Sequence, residues 1–386
     1  MTIRLKAIVR RITCSLLISV LILYLQGCAD LKEINNIIIV TATGLDLNDE
    51  GKVEATVQLF LPQAAASGSS GSQSASQTIQ SSVLSGSGDT ISEAINNIEK
   101  HVSRQLFRGH DRAIIIGRRM AEKRIKDVLD YCMRFREIRQ RTNLFVTNDP
   151  VPKILEYQPF LEKNSGELLS KYVRKDGNLS VTLKDAVVMN TNAGHSFILP
   201  MISIEAAGAQ GEKKTMEITR SALFSKNRMV GTISHDLTYG QLILTHRFWQ
   251  TVYSLKLSPD PGQIGINIQN VKADVHAVIR HGHWLIMANV TGDGIIFENT
   301  TRWNMLNSDT IWRVERAVNR KIAANIKDSV RESQKMKSDV FDFYPTFFRK
   351  YPEECLKVEK NWNDFYPSID VQVKSHFSVI HSGIKQ

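Results

Sequence analysis

Cysteine is scarce in this chain, four in 386 residues, and two of the four fall within the first 28. Cys14 lies in an apolar run and Cys28 ends it, which leaves Cys132 and Cys355 as the thiols of any folded body. Two distant cysteines make neither a disulfide framework nor a zinc site unaided, and a bridge between them needs a close Cα approach. Also missing is an uninterrupted apolar stretch of the ~20 residues that a bilayer-crossing helix requires. No nucleophile elbow, zinc-protease helix, paired cysteine ligands or dinucleotide fingerprint occurs. His110-Asp111 is the nearest approach to a catalytic pair, but neighbours on a strand point to opposite faces. No segment supplies a base, a nucleophile and an oxyanion site together, so the expectation is a protein that is not an enzyme and holds no cofactor.

What is present is ordinary globular composition, 42% hydrophobic and 23% charged, at a length that suits two or three domains. Four of the basic residues behind the formal charge of +10 (Arg4, Lys6, Arg10, Arg11) stand ahead of the apolar run; without them the excess falls to +6. That is mild for a nucleic-acid binder, and proximity to an anionic lipid surface accounts for it equally well.

The amino terminus has three physical parts. The basic stretch Arg4 to Arg11 precedes an apolar run from Ile12 to Leu25, broken by Thr13, Ser15 and Ser19, and the run closes on Leu25-Gln26-Gly27-Cys28. That order is the order of an export signal, whose positive end stays cytoplasmic while the apolar part enters the membrane. A small residue at the cut and a thiol just beyond it resemble the bacterial lipobox. Residues 1–27 are therefore expected to be a signal peptide and Cys28 the lipid attachment site, with a permanent transmembrane helix as the rival.

Beyond Cys28, Ile37 to Val40 and the alternating run Val53 to Leu61 read as strands, with Gly44 and Asn48-Asp49-Glu50-Gly51 turning between them. Residues 64–76 begin a Ser/Gly-rich tract that reads as a loop, with a short strand plausible from Gln77 to Leu84. Gly86-Ser87-Gly88 lacks the Lys-Ser/Thr of a phosphate loop. Thr90 and Glu93 form a capping-box pattern before Ile91, Ile95, Ile98 and Val102, which predicts a helix over 91–105. A strand at Ala113 to Ile116, a helix marked by Ile125, Val128, Leu129, Cys132 and Phe135, and a strand at Leu144 to Val146 follow. This alternation suggests a sheet covered on one side by helices.

Arg and Lys crowd residues 118–141, a face suited to lipid headgroups or an acidic partner, although such runs commonly just face water. The polar segment 206–215 is expected to link an N-terminal domain, 28–205, to a strand-rich C-terminal domain, 216–386. Strands there include Ser221 to Phe224, Met229 to Ile233, and a hairpin of Ala273 to Ile279 with Trp284 to Val290. His276, His281 and His283 cluster at that hairpin, but with no carboxylate or cysteine evident at ligand spacing no metal is expected. Ile311, Val314, Val318, Ile322, Ile326 and Val330 mark a long helix near 309–337, and Ile369 to Val379 alternate in a last strand. The fold class read from this pattern is α+β, mixed β-sheets with flanking helices in two to three domains.

Several of these segments resemble one family, the Ger(x)C spore germination lipoproteins. Cys28-Ala29-Asp30-Leu31-Lys32-Glu33-Ile34-Asn35 with Gly44-Leu45-Asp46 is similar to the family's mature start, with Ala29 in place of a tryptophan. Gly109-His110 before an aliphatic strand and Gly117, and Leu223 through Gly231, follow the family pattern. Asp339-Val340-Phe341-Asp342-Phe343 resembles its Asp-x-Phe-Gly-Phe, followed by Phe348 to Pro352, Trp362 and Phe365-Tyr366-Pro367. Asp342 stands where glycine is usual, and Cys355 where a tryptophan is common. The resemblance implies the C subunit of a nutrient germinant receptor, held on the outer face of the spore inner membrane beside membrane-embedded A and B subunits. In this family the B subunit is the expected nutrient sensor, so the resemblance implies a role in assembly or coupling. A lipid-anchored solute-binding protein of a transporter is the alternative, and it predicts two α/β lobes about a hinge.

Overall fold

The computed structural model describes residues 36–60, 81–175, 177–207 and 213–381, with scattered positions between 8 and 19. The lipobox residues Leu25, Gln26, Gly27 and Cys28 and the loop expected over 64–76 lie outside the described residues. Among those described, no helix is long and apolar enough to cross a membrane.

The first sheet opens with β1 (Ile37–Leu47), β2 (Val53–Phe60) and β3 (Ser81–Gly88), an antiparallel meander. Helix α1 (Ile91–Glu99) then leads to β4 (Gln105–Phe107) and β5 (Ala113–Gly117), both parallel to β1. Thr90 caps α1 by accepting from Glu93 N at 3.2 Å, and the helix stops at Lys100, short of the expected residue 105, so that the chain can turn into β4 beside the start of β1. The single basic helix expected next is two, α2 (Arg118–Lys123) and α3 (Ile125–Arg134), divided at Arg124. Strand β6 (Asn143–Thr147) adds parallel to β5, and α4 (Val151–Glu156), α5 (Ser165–Tyr172) and α6 (Leu183–Asn190) precede β7 (Phe197–Ala207). Strands β8 (Lys213–Ser225) and β9 (Arg228–Ser234) complete the order β3-β2-β1-β5-β6-β7-β8-β9, with β4 paired to β1 off that path.

Two expectations change here. The sheet is covered on both faces: Ile114 and Ile116 of β5 belong to one core with α1, α2, α3 and α6, whereas Ala113 and Ile115 belong to a second core with α4 and α5. A central parallel strand with no polar face, Ala-Ile-Ile-Ile, needs cover on both sides. The expected linker 206–215 is, in its described residues, the closing end of a hairpin: β7 and β8 pair from Phe197 with Phe224 out to Ala207 with Lys213. Strands β7 and β8 thus belong to one sheet.

Helix α7 (His235–Leu244) leads to a second sheet, order β10 (Thr251–Lys256), β11 (Gln263–Arg280), β12 (His283–Asn299) and β13 (Asp370–His381). The hairpin turns at Arg280–His283 as the sequence suggests. Between β12 and β13 come α8 (Ser308–Lys335), α9 (Phe343–Phe348), α10 (Pro352–Val358) and α11 (Trp362–Phe365). Val314, Val318, Ile322, Ile326 and Val330 form the buried apolar stripe of α8, at four-residue spacing. One hydrophobic core runs without interruption from Val40 in the first sheet to Phe377 in the second.

Candidate functional site

Two places hold described residues of the segments that carry the family resemblance. The first is an acceptor buried in aromatic side chains. Asp339, 5% exposed, accepts from the backbone N–H of Phe343 at 3.1 Å, Tyr344 at 2.9 Å and Phe341 at 3.3 Å, and from Trp362 Nε1 at 3.0 Å. The carboxylate thus takes up donors that α9 leaves open at its start. Burial pushes its pKa up to about 6, with the donors pulling the other way. Trp362 lies edge-on to Tyr344, ring centroids 5.0 Å apart, and Trp284 packs on Phe347 at 4.6 Å.

Next to Trp362, Asn363 Nδ2 donates to Ser225 Oγ at 2.6 Å, the Gly194 carbonyl at 2.9 Å and the Lys337 carbonyl at 3.1 Å. Ser338 Oγ donates to the Phe224 carbonyl at 2.6 Å. These bonds tie the end of β8 in the first sheet to the turn after α8.

Asp342 adopts a left-handed backbone, φ 57°, where the family's usual glycine has no steric cost. Here its side chain compensates by accepting from Asn192 Nδ2 at 2.8 Å. Asp342→Gly is therefore expected to change stability by no more than about 1 kcal/mol, since relief of the backbone offsets the lost hydrogen bond, whereas Asp342→Val loses both. Urea midpoints of the two variants check this; equal losses would show that the backbone conformation is not the constraint.

The second place lies at the start of β5 and β6. The His110-Asp111 pair sits in the turn before β5, with no strand geometry, and the two side chains part: His110 is exposed, while Asp111 is 3% exposed. Asp111 Oδ2 accepts from Thr43 Oγ1, and Oδ1 is buried without a hydrogen-bond partner. Burial raises its pKa to about 7. Arg108, three residues before Asp111, is 1% exposed and stacks on Phe135, 3.8 Å from the ring centre.

Beside Asp111 opens a cavity of about 420 Å³ lined by Arg112, Arg139, Arg141, Lys171 and Arg174. The strand starts supply the first three, and α5 with its exit supplies Lys171 and Arg174. Helix α5 reaches this position because Gly166 lies against β1; a Cβ there would stand 2.6 Å from the Thr41 carbonyl oxygen. Arg112 pairs with Glu167 at 3.9 Å, and Lys171 with Glu167 at 3.4 Å and Glu162 at 3.5 Å. Arg139, Arg141 and Arg174 have no ion-pair partner among the described residues.

The rest of the basic run 118–141 is largely compensated. Arg118 pairs with Glu122, Arg119 with Asp49, Arg124 with Asp127 and Arg134 with Asp130. The i,i+3 and i,i+4 spacing of three of those pairs is readable in the sequence. The convergence of Arg112, Lys171 and Arg174 on Arg139 and Arg141 is not.

Among the motif residues, Asp46 Oδ1 accepts from Met120 N at 3.2 Å, and a Cβ at Gly117 would collide with that carboxylate, 2.1 Å from its Cγ. At the C-terminal hairpin, His276 Nε2 is 2.8 Å from Asp274 Oδ2, a carboxylate partner two residues away that the sequence reading overlooks. No group of three potential metal ligands forms among the described residues. Cys132 and Cys355 are both buried and unbridged, and burial pushes their thiols to about 12 and about 11.

Residues 30–204 match the profile of the spore germination protein N-terminal domain, and residues 219–383 match that of the spore germination B3/GerAC-like C-terminal region. The chain belongs to the GerAC-like spore germination family. Family relatives include the putative spore germination protein YfkR of Bacillus subtilis (strain 168), 26% identical over 93% of this chain and 94% of that protein. Spore germination protein KC of the same organism is 22% identical, covering 98% of this chain and 97% of the relative. The crystal structure of the GerBC protein superposes with a TM-score of 0.58 at 16% identity, over 91% of this chain and all of that one. The GerBC protein thus shares this mixed-sheet fold, and the buried Asp339–Trp362 contact links two of the motifs on which the resemblance rests.

Proposed function

We propose that this chain is a lipid-anchored, non-catalytic C subunit of a spore germinant receptor, attached through diacylglyceryl-Cys28 and acting by contact with membrane-embedded A and B subunits. The observation that carries the reading is the pair of family profiles, which run in order along nearly the whole chain. The fate of the reactive groups supports it: both thiols are buried, and Asp339 serves packing rather than an open cleft. A solute-binding protein of two lobes fits less well, because a single core runs through both sheets.

Each methylene buried in a bilayer contributes about 0.8 kcal/mol, and one acyl chain holds only marginally, so stable attachment takes two. Cys28→Ala is expected to move the protein from the membrane to the soluble fraction of spores and to abolish its contribution to nutrient germination. Fractionation, mass spectrometry of the mature amino terminus and germination of a deletion strain test this together. An unmodified Cys28 with full membrane retention would overturn the anchor, and germination unchanged by deletion on every nutrient, in a strain lacking other receptors, would overturn the role.

A further inference from the structure

We infer that the cavity between α5 and the starts of β5 and β6 is a phosphate-binding site, with Arg139, Arg141 and Arg174 as its ligands. The charge balance points to an anion. Arg112 and Lys171 share Glu167 and Glu162, whereas the other three guanidinium groups line one space with no counter-ion among the described residues. Guanidinium forks match phosphate and carboxylate alike, but three forks around one space can donate more hydrogen bonds than the two oxygens of a carboxylate accept. At about 420 Å³ the cavity also has room for an organic body on the phosphate.

Asp111 also lines the cavity, and burial raises its pKa to about 7, so below neutral pH it sets little negative charge against an anion there.

The phosphate has two chemical sources, a phospholipid headgroup and a soluble phosphate compound. Position favours the first. Strands β1, β5 and β6 are parallel, so the cavity opens at the end of the sheet where β1 begins. Cys28 precedes Ile37 by nine residues, a reach of at most about 30 Å for an extended chain. Phe160 and Leu161, 96% and 82% exposed, project beside Glu162, whose carboxylate meets Lys171 at the rim. Apolar side chains next to a basic pocket suit the boundary between headgroups and acyl chains. This preference rests on the Cys28 reading, but binding of a phosphate in detergent does not, so either can fail without the other.

The test uses the full chain purified in detergent, titrated calorimetrically with inorganic phosphate, with dihexanoyl phosphatidylglycerol and with dihexanoyl phosphatidylcholine. The expected result is saturable binding of phosphatidylglycerol, weakened at least about tenfold in Arg139→Gln/Arg141→Gln and again in Arg174→Gln, with thermal unfolding unchanged. Competition by inorganic phosphate supports the site, and binding of inorganic phosphate with no gain from the lipid supports it with a soluble source. Absence of binding by either anion, or binding that the variants leave intact or phosphatidylcholine equals, would overturn it.

Discussion

Asp339→Ala is expected to destabilise the protein by about 3 kcal/mol or more, because it removes the shared acceptor of buried N–H groups that have no other. Each donor stranded without a partner costs about 1–3 kcal/mol, and water entering the space recovers part of that. Asp339→Asn is expected to fall between the two, since the amide keeps an oxygen for some donors and turns its own NH2 toward the others. Urea unfolding followed by tryptophan fluorescence measures both, with Trp362 as a local reporter. A loss below about 1 kcal/mol for alanine would mean that the aromatic packing alone holds this region together.

Stability is expected to fall as the pH rises from about 4 to about 7. Asp111 and Asp339 titrate near 7 and near 6 in the folded chain, against an ordinary 3.8, so the folded state keeps protons that the unfolded state has already released. Each such proton tilts stability by about 1.4 kcal/mol per pH unit across the window between its two pKa values. Asp342, also raised by burial, adds in the same direction. His235 works against them, since burial lowers its pKa and its neutral form gains as the pH rises. Asp260 and Asp364 are depressed and exposed, and their opposing contribution is confined to more acid pH. Urea midpoints at pH 5 and pH 8 check the sign, and Asp111→Asn should flatten the slope. A slope that the substitution leaves unchanged would remove Asp111 as its source.

Much of this fold was legible in the residues. The β-branched run after Asn36, the aliphatic run at Ala113 and the apolar stripe from Ile311 to Val330 each specify their element because burial dictates their spacing. Harder to read was the second helical layer over the first sheet: α4 and α5 are short and lack a long periodic signature. The pairing of the ends of β7 and β8 on either side of 208–212 was not readable, since a polar, glycine-containing stretch serves equally as a linker or as a turn.

At the candidate sites the sequence showed which residues matter in the Asp339 motif but not what they do. Asp339 and Trp362 stand 23 positions apart, and only the folded chain brings them within hydrogen-bonding distance. The phosphate cavity was hidden for the same reason, because Arg112, Arg139 and Arg174 come from three separated segments. The proposed attachment at Cys28 is the reverse case, an expectation that rests on a few consecutive residues and on no tertiary contact.

The bonds from Asn363 and Ser338 to the end of β8 carry a mechanical meaning. They fasten the segments on either side of α9 and α10 to the first sheet with buried polar bonds as well as through the shared apolar core, so losing either partner strands a buried donor or acceptor.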